Sequence, residues 1–528
     1  MGNLNMIESH QRQLELFENC FRNILATGVA TGEFPEPGQD LRQLATDWAH
    51  GNVRMLVCGV DSDDVIRGAC AALALSPVFV DAVLSSYDGA SDRCAALSPD
   101  LKFAQDTLLS RRVKDIAATL LLGGKPILCP FTGTRALVRD SLDLHTFLHR
   151  HGPDACIILP DWRIDQCASD RCWFFPSGNL ILLSVPDLDG RIALIRTAAQ
   201  VMANYQRVAA YLSDPNRSVM VSEDANGHIG HYIWNVVSGW ARLFALAPPE
   251  CIGVITSYAT WQIFGGVTEL FPEEVARAGC VVRPDSQDAL YSLMLERRLV
   301  SLVLQDDYVT TATAQRIVGW SWQRCSETFL AEVETLREHA FPLVMLTIRT
   351  ENRAWVEQQE GYARLVRELA LNYPRLGIVL DGINTGMAQV GSHGWMSLDD
   401  EQAIAASIVD ACPNVRFHNA LGCLPQESIV LANTIDAFLA PIGAGLAKTR
   451  WIANKPGVGF SNASFMTPAN YQGFLYGRFR EDPVHMRYVE HSEVHDVGDA
   501  QHGEAWRANF SMPWLAPLRE LKILLETL

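Results

Sequence analysis

The stretch Ser218-Val-Met-Val-Ser-Glu-Asp-Ala-Asn-Gly-His-Ile-Gly-His-Tyr-Ile-Trp-Asn235 decides how this chain is read. A strand-like run, Ser218–Ser222, stops at two carboxylates, Glu223 and Asp224. A small flexible loop at Asn226-Gly227 follows, then His228 and His231, then a helical segment rich in aromatic residues. The pattern predicts strand, loop, helix, with four ionisable side chains at the carboxyl end of the strand and the amino end of the helix. Open α/β sheets take their ligands at that edge. Imidazole and carboxylate together can move protons near neutral pH, so Glu223, Asp224, His228 and His231 are candidate catalytic residues. The plainer alternative is that His231 caps the helix and that Glu223 and Asp224 are solvated.

Outward from this stretch, short apolar runs alternate with helical patterns. Strands are predicted at Met55–Val60, Pro126–Pro130, Ala155–Pro160 and Leu180–Val185, and near 252–256, 280–283 and 300–305. A long amphipathic helix covers 191–213. A second series opens with Leu343–Ile348 and continues with a helix over 355–372, Gly377–Asp381, a helix over 399–411, and Val415–His418. It ends with Ala437–Pro441, Gly457–Phe460 and a helix over 513–527. Strands separated by helices imply βαβ units and parallel sheets. There are too many strands for one sheet, and a Glu- and Arg-rich break near 325–341 separates the two series. The expected fold is α/β, with two Rossmann-like domains facing a cleft. Residues 1–190 form an extra N-terminal α/β region, 191–338 one Rossmann-like domain and 339–528 the other.

The 528 residues are 48% hydrophobic, with 13 Trp and 21 Phe, enough for large cores. A net charge of -17 argues against nucleic acid, or an anionic membrane, as partner of the molecule as a whole. No apolar segment approaches the length of a membrane span, and Met1–Glu18 lacks the character of a secretory signal. The expected localisation is cytoplasmic, with a homo-oligomer possible. The 13 Cys are dispersed, as suits reduced thiols. The isolated Cys167/Cys172 pair makes no zinc site, and no metal is expected.

Three loops of the second series suit a phosphorylated ligand. Thr347-Ile-Arg-Thr-Glu-Asn-Arg353 carries Arg349 and Arg353, whose guanidinium forks match a diphosphate. Arg416-Phe-His-Asn-Ala-Leu-Gly422 places His418 and Asn419 just past a strand, where a base or ribose could sit. Ala440-Pro-Ile-Gly-Ala-Gly-Leu-Ala-Lys-Thr449 offers the backbone of Gly443, Ala444 and Gly445, with Lys448 and Thr449 as further donors. Neither the Walker A spacing nor a GxGxxG fingerprint at a first strand is present.

Asn226-Gly-His-Ile-Gly-His231 with its aromatic helix resembles the H-N-x-G-H segment of family 61-type glycosyltransferases. Pro441-Ile-Gly-Ala-Gly-Leu446 resembles that family's H-G-A-G-L loop, and the segment ending at Arg349 its R-x-x-x-R entry to the second domain. The resemblance spans about 216–465, in matching order. Ile442 stands where the family has histidine. The resemblance implies a GT-B-like fold and a transferase that moves a sugar from a nucleotide-diphospho-sugar to a glycan or protein acceptor. It also implies that protein cations and helix dipoles, not a metal or other cofactor, stabilise the leaving diphosphate. A GT-B-like epimerase or phosphorylase is a competing enzyme reading. A catalytically degenerate, partner-binding scaffold is the competing non-enzyme reading.

Overall fold

The computed structural model describes residues 54–87, 111–152, 154–160, 170–184, 188–223, 229–257, 265–306, 308–384, 397–443, 445–466, 479–498 and 505–528. The chain divides into two compact units. The first comprises Met1–Asp224, Arg242–Ala259 and Glu273–Asp306, the second Ala225–Ala241, Thr260–Pro272 and Asp307–Leu528.

The first unit holds two large sheets. Its N-terminal sheet uses β1 (Arg54–Val57), β4 (Asp140–Ser141), β5 (Phe147–His151), β6 (Asp154–Pro160), β7 (Asp170–Phe175) and β8 (Leu180–Leu183), in the order β1-β8-β7-β6-β5-β4. Only β1 and β8 pair in parallel; β4 to β8 form an antiparallel meander. This corrects the expectation of parallel βαβ units throughout the chain. No described helix intervenes between β4 and β8, and β7 turns into β8 through a 3-10 turn closed by left-handed Asn179, φ 46. Such turns join antiparallel strands, whereas parallel strands need long crossovers. A separate hairpin pairs β2 (Lys125–Leu128) with β3 (Arg135–Val138).

The second sheet of this unit is fully parallel. It comprises β9 (Ser218–Glu223), β10 (Val254–Thr256), β11 (Cys280–Val282) and β12 (Leu299–Leu304), in the order β11-β10-β9-β12. A buried polar knot ties the two sheets together. Tyr211 Oη donates to the Leu299 carbonyl at 3.1 Å and accepts from the Ser141 amide at 2.9 Å. Asp140 binds Arg217 at 2.7 Å and Arg150 at 2.5 Å, which compensates a carboxylate withdrawn from water.

The second unit is built on β13 (Leu343–Thr347), β14 (Gly377–Asp381), β15 (Arg416–Asn419), β16 (Ala437–Pro441), β17 (Gly457–Phe460) and β18 (Met486–Tyr488). All are parallel, in the order β15-β14-β13-β16-β17-β18. Numbered within the sheet this is 3-2-1-4-5-6, the order of a dinucleotide-binding Rossmann sheet. Both faces are covered, so the strands read as nearly unbroken apolar runs. Val344, Leu346, Ile378, Leu380, Leu439 and Val458 are buried with Tyr362, Val366, Leu369 and Leu521 from flanking helices. The Glu- and Arg-rich stretch read as a break is a helix, Glu327–His339, capped by Ser326. Phe329, Val333 and Leu336 recur on its buried face while its charges face water.

Among the described residues, this unit has two π-helical segments, Tyr232–Val237 and Ala447–Ile452, and every side chain in both is buried. The Trp234 ring of one lies 5.5 Å from the Trp451 ring of the other. The fold class is therefore α/β, with one Rossmann-like parallel sheet per unit and an additional N-terminal sheet. It contains the pair of sheets expected of a GT-B-like chain.

Candidate functional site

In a 3-2-1-4-5-6 sheet, neighbouring strands 1 and 4 send their connections to opposite faces, and ligands settle beyond their carboxyl ends. Here those strands are β13 and β16. Beyond β13 comes Arg349, and beyond β16 comes Gly443. Both sit in loops that the sheet holds side by side, since β13 and β16 pair directly. The Arg349 backbone is clamped by Gln358. Its amide donates to Gln358 Oε1 at 3.1 Å, and Gln358 Nε2 donates to its carbonyl at 2.7 Å. The guanidinium donates from Nε to the Asn352 carbonyl at 2.6 Å and from Nη2 to Asn352 Oδ1 at 2.8 Å, and it pairs with Glu351 at 2.6 Å. Nη1 packs so closely on Gly443 that a Cβ there would collide with it; the Arg353 guanidinium lies 3.9 Å from the same point. Arg353 adopts φ 55, and its guanidinium carbon lies 5.3 Å from the centroid of the Phe465 ring. At Gly445 a Cβ would meet no other atom within 4 Å. The structure thus brings Arg349, Arg353 and Gly443 together. The two arginines lie in the loop before the helix Gln358–Asn372, rather than in its first turn.

Lys448 and Thr449 are turned inward, which corrects the expectation that they donate to a ligand at this loop. Lys448 Nζ lies 2.8 Å and 2.9 Å from the two Asp381 carboxylate oxygens, 2.8 Å from Ser428 Oγ and 3.2 Å from Asn384 Oδ1. All four residues are buried. Thr449 Oγ1 donates to the Leu446 carbonyl within its own helix. Asp381 ends strand 2, where dinucleotide-binding sheets keep an acid for ribose. Here that acid is committed to Lys448.

His418 and Asn419 are not brought to the switch point. They lie on β15, the outer strand, two strand spacings or about 10 Å from β13. The His418 ring meets Phe329 edge-on, with centroids 6.4 Å apart. Burial lowers its pKa, although Glu332 and Glu427 pull the other way. Asn419 donates to Gln402 Oε1 at 2.7 Å and accepts from the Leu421 amide at 3.0 Å.

Glu401 is a neighbour that the sequence reading passed over. Asp399 and Asp400, in the first turn of the helix Leu398–Ala411, are both exposed. One residue further on the helix turns inward. Glu401 is buried and accepts from the Ile383 amide at 2.8 Å. Burial pushes its carboxyl up to about 8, helped by the charges of Asp381 and Glu351 and opposed by Lys448. Gly382 is required beside it, because a Cβ would collide with the Glu401 carboxylate.

The stretch around 223–231 is divided between the units. Glu223 ends β9 in the first unit, facing Leu304 of β12 across strands 1 and 4 of that sheet. It is buried and accepts from Ser257 Oγ at 2.7 Å. Beyond β12, Asp306 pairs with Arg242 at 3.3 Å. His231 belongs to the second unit, half-buried, with Nδ1 2.9 Å from Asn235 Oδ1 and its ring 6.0 Å from Trp234. With the Asn235 oxygen as acceptor, Nδ1 carries the proton and Nε2 keeps its lone pair. Asp224, His228 and Ala444 lie outside the described residues. Among the described residues, no cluster of three His, Cys, Asp or Glu is arranged to hold a metal ion, and no helix is long and apolar enough to cross a membrane.

No protein-family model matches the chain, and no curated protein matches it at a significant level. Solved structures similar to it include a family 9 glycosyl transferase from Veillonella parvula, at 10% identity and TM-score 0.35, covering 60% of this chain and 99% of that one. The E. coli ADP-heptose lps heptosyltransferase II matches at 11% identity and TM-score 0.32, covering 59% and 99%. The E. coli heptosyltransferase WaaC with ADP-2-deoxy-2-fluoro heptose matches at 13% and 0.24, covering 61% and 77%. At these scores the likeness carries no argument about activity.

Proposed function

We propose that this protein is a glycosyltransferase of the type its resemblance to family 61 implies, moving a sugar from a nucleotide-diphospho-sugar to a glycan or protein acceptor. The observation that supports this reading is the convergence of Arg349 and Arg353 on Gly443 at the switch point of the 3-2-1-4-5-6 sheet. Two guanidinium groups beside a bare backbone suit a diphosphate, which needs planar charged donors and close approach. The Gln358 clamp and Asn352 hold Arg349 in place before a ligand arrives, so little ordering is left to binding. In the reaction, the bond between the anomeric carbon and the diphosphate oxygen breaks as an acceptor hydroxyl attacks that carbon. Arg349, Arg353 and the Gly443 to Gly445 backbone neutralise the departing diphosphate, without a metal or other cofactor. The hydroxyl proton passes to a base drawn from Glu223, Asp224, His228 and His231. His231 has the arrangement of an oriented base, with Asn235 holding one ring nitrogen.

The scaffold reading has one observation in its favour: Arg349 already pairs with Glu351 within the protein, and Ile442 replaces the family histidine. Titration with uridine, guanosine, adenosine and cytidine diphosphates, followed by turnover of the matching nucleotide sugars, separates the two. Arg349→Ala is expected to weaken diphosphate binding roughly 10- to 100-fold, the loss of one charge-assisted contact. Binding without turnover for every donor supports the scaffold. Equal binding by wild type and Arg349→Ala refutes the site.

A further inference from the structure

We propose that Phe465 is a positioning residue for Arg353, and that the turn 461–466 carrying it is a built part of the diphosphate site. This role rests on the proposed function, in which Arg353 binds a diphosphate. Arg353 adopts φ 55, a region that residues with a side chain seldom occupy. Such a backbone persists only where its surroundings over-determine it. Two hydrogen bonds hold it here. The Arg353 amide donates to the Arg507 carbonyl at 3.3 Å, and the next amide, of Ala354, donates to Asn509 Oδ1 at 3.0 Å. The side chain is held by a ring instead. Its guanidinium carbon lies 5.3 Å from the centroid of Phe465, within the reach of a cation–π contact.

Phe465 is itself fixed. The turn leaves β17, and β17 pairs with β16, whose loop carries Gly443; the Ile442 amide donates to the Phe460 carbonyl at 2.7 Å. Buried Asn462 accepts from the Phe465 amide at 3.0 Å, and its Nδ2 donates to the carbonyls of Ala505 at 3.2 Å and Ala508 at 2.9 Å. Those two carbonyls flank Arg507, the residue that holds the Arg353 backbone. Asp496 closes the turn from the other side. It accepts from the amides of Ala463 at 2.5 Å and Ser464 at 3.2 Å, and from Ser464 Oγ at 2.7 Å. One polar network thus places both the ring and the cation. The choice of a ring has a chemical reason. Asn352 and Glu351 hold Arg349 through oxygens, which take N–H donors of the kind a phosphate needs. An aromatic face attracts a cation without accepting an in-plane N–H, so this contact does not compete with a phosphate oxygen. Ordering one long side chain on binding costs roughly 2- to 10-fold in affinity, and the ring removes that cost in advance.

The test is calorimetric titration of the full chain with uridine, guanosine, adenosine and cytidine diphosphates. For the diphosphate that binds wild type, Phe465→Leu should weaken binding roughly 2- to 10-fold. Phe465→Tyr, which keeps the π face, should keep wild-type affinity. In an Arg353→Ala background Phe465→Leu should cost nothing further, because the ring acts through the guanidinium. A ring that merely fills space would cost the same with or without Arg353. Asp496→Ala, at an exposed position, loosens the turn without touching the ring and should weaken binding in the same Arg353-dependent way, so the test survives a Phe465 variant that fails to fold. Equal affinity of wild type, Phe465→Leu and Asp496→Ala overturns the role, as does a Phe465→Leu loss that is unchanged when Arg353 is absent. Either result leaves the diphosphate site standing as long as Arg353→Ala itself binds more weakly than wild type. Arg353→Ala binding as tightly as wild type overturns Arg353 as a ligand donor, and this role with it.

Discussion

Replacing Lys448 with Met separates two incompatible roles for one side chain. Lys448 Nζ sits between both oxygens of Asp381, with Ser428 and Asn384 completing its surroundings, and the Lys448 and Asp381 side chains are each 2% exposed. Met nearly matches the volume of Lys but leaves the Asp381 carboxylate in the interior without its cation. Breaking a buried pair in this way typically costs about 3–5 kcal/mol. In a unit of 150–250 residues each kcal/mol shifts the melting temperature by about 2–4 °C, so a fall of roughly 6–20 °C is expected. The assay is thermal and urea unfolding of Lys448→Met, of Asp381→Asn and of the double variant. Asp381→Asn alone strands the ammonium and should also be costly. The double variant should recover much of the loss, because neither buried charge remains. Diphosphate binding, measured well below the melting temperature, should persist. If Lys448→Met melts within 1 °C or so of wild type yet loses diphosphate binding, Lys448 is a ligand donor and the structural role argued for it is wrong.

Glu401→Gln should stabilise the protein above about pH 5. The wild-type carboxyl is raised to about 8, so its stabilising contribution is complete below the ordinary value near 4.5 and lost as pH rises through about 8. That span corresponds to roughly 4–5 kcal/mol, and a urea-midpoint profile from pH 5 to pH 9 that stays as steep in the variant would count against it. Gly443→Ala should push the Arg349 guanidinium off its Asn352 and Glu351 partners, lowering the melting temperature only modestly because a side-chain tip rather than backbone must move, and weaken diphosphate binding at least tenfold by calorimetry. Asn235→Ala removes the partner that orients the His231 ring; turnover should fall while donor binding is retained. Gly361→Ala should destabilise strongly, since a Cβ there runs into the Trp355 indole, which is itself buried and donates to the Met512 carbonyl at 3.2 Å.

Most of the second unit was legible because its inner strands are apolar runs, the pattern of a parallel sheet covered on both faces, whereas the edge strand Met486–Tyr488 is too short and polar to stand out. The observed strands Leu343–Thr347, Gly377–Asp381 and Ala437–Pro441 fall where the sequence places them. The N-terminal sheet was legible only in part: β1, β6 and β8 lie at the predicted Met55–Val60, Ala155–Pro160 and Leu180–Val185, whereas β4, β5, β7 and the antiparallel pairing were not predicted. Asp170–Phe175 contains Cys172 of the isolated cysteine pair and is followed by a single 3-10 turn, and β4 spans only two residues. Within the site, Arg349, Arg353 and Gly443 were found because strand-end loops with arginine and glycine have a chemical meaning. Lys448 misled because residue type was read without direction: a lysine just past a glycine loop can point out to solvent or in towards the sheet. Asp381 ends its strand just as Glu223 does, so the signal that singled out Glu223 could have found it. Glu401 had no signal, for nothing in the composition of Leu398-Asp-Asp-Glu401 tells which of three acids the helix turns inward.

The paired π-helical segments each hold one surplus residue where they meet. A π turn carries about one residue more than an α turn over the same rise. Deleting one residue within 232–237, or within 447–452, would therefore return the helix to ordinary winding with its two flanks nearly in register. The Trp234–Trp451 contact and the Lys448 anchor both lie inside these windows, so a deletion re-aims these side chains while the rest of the helix stays in place. The bulge is thus a local device for placing side chains, and its loss should be felt at the Trp pair and at Asp381 rather than along the chain downstream.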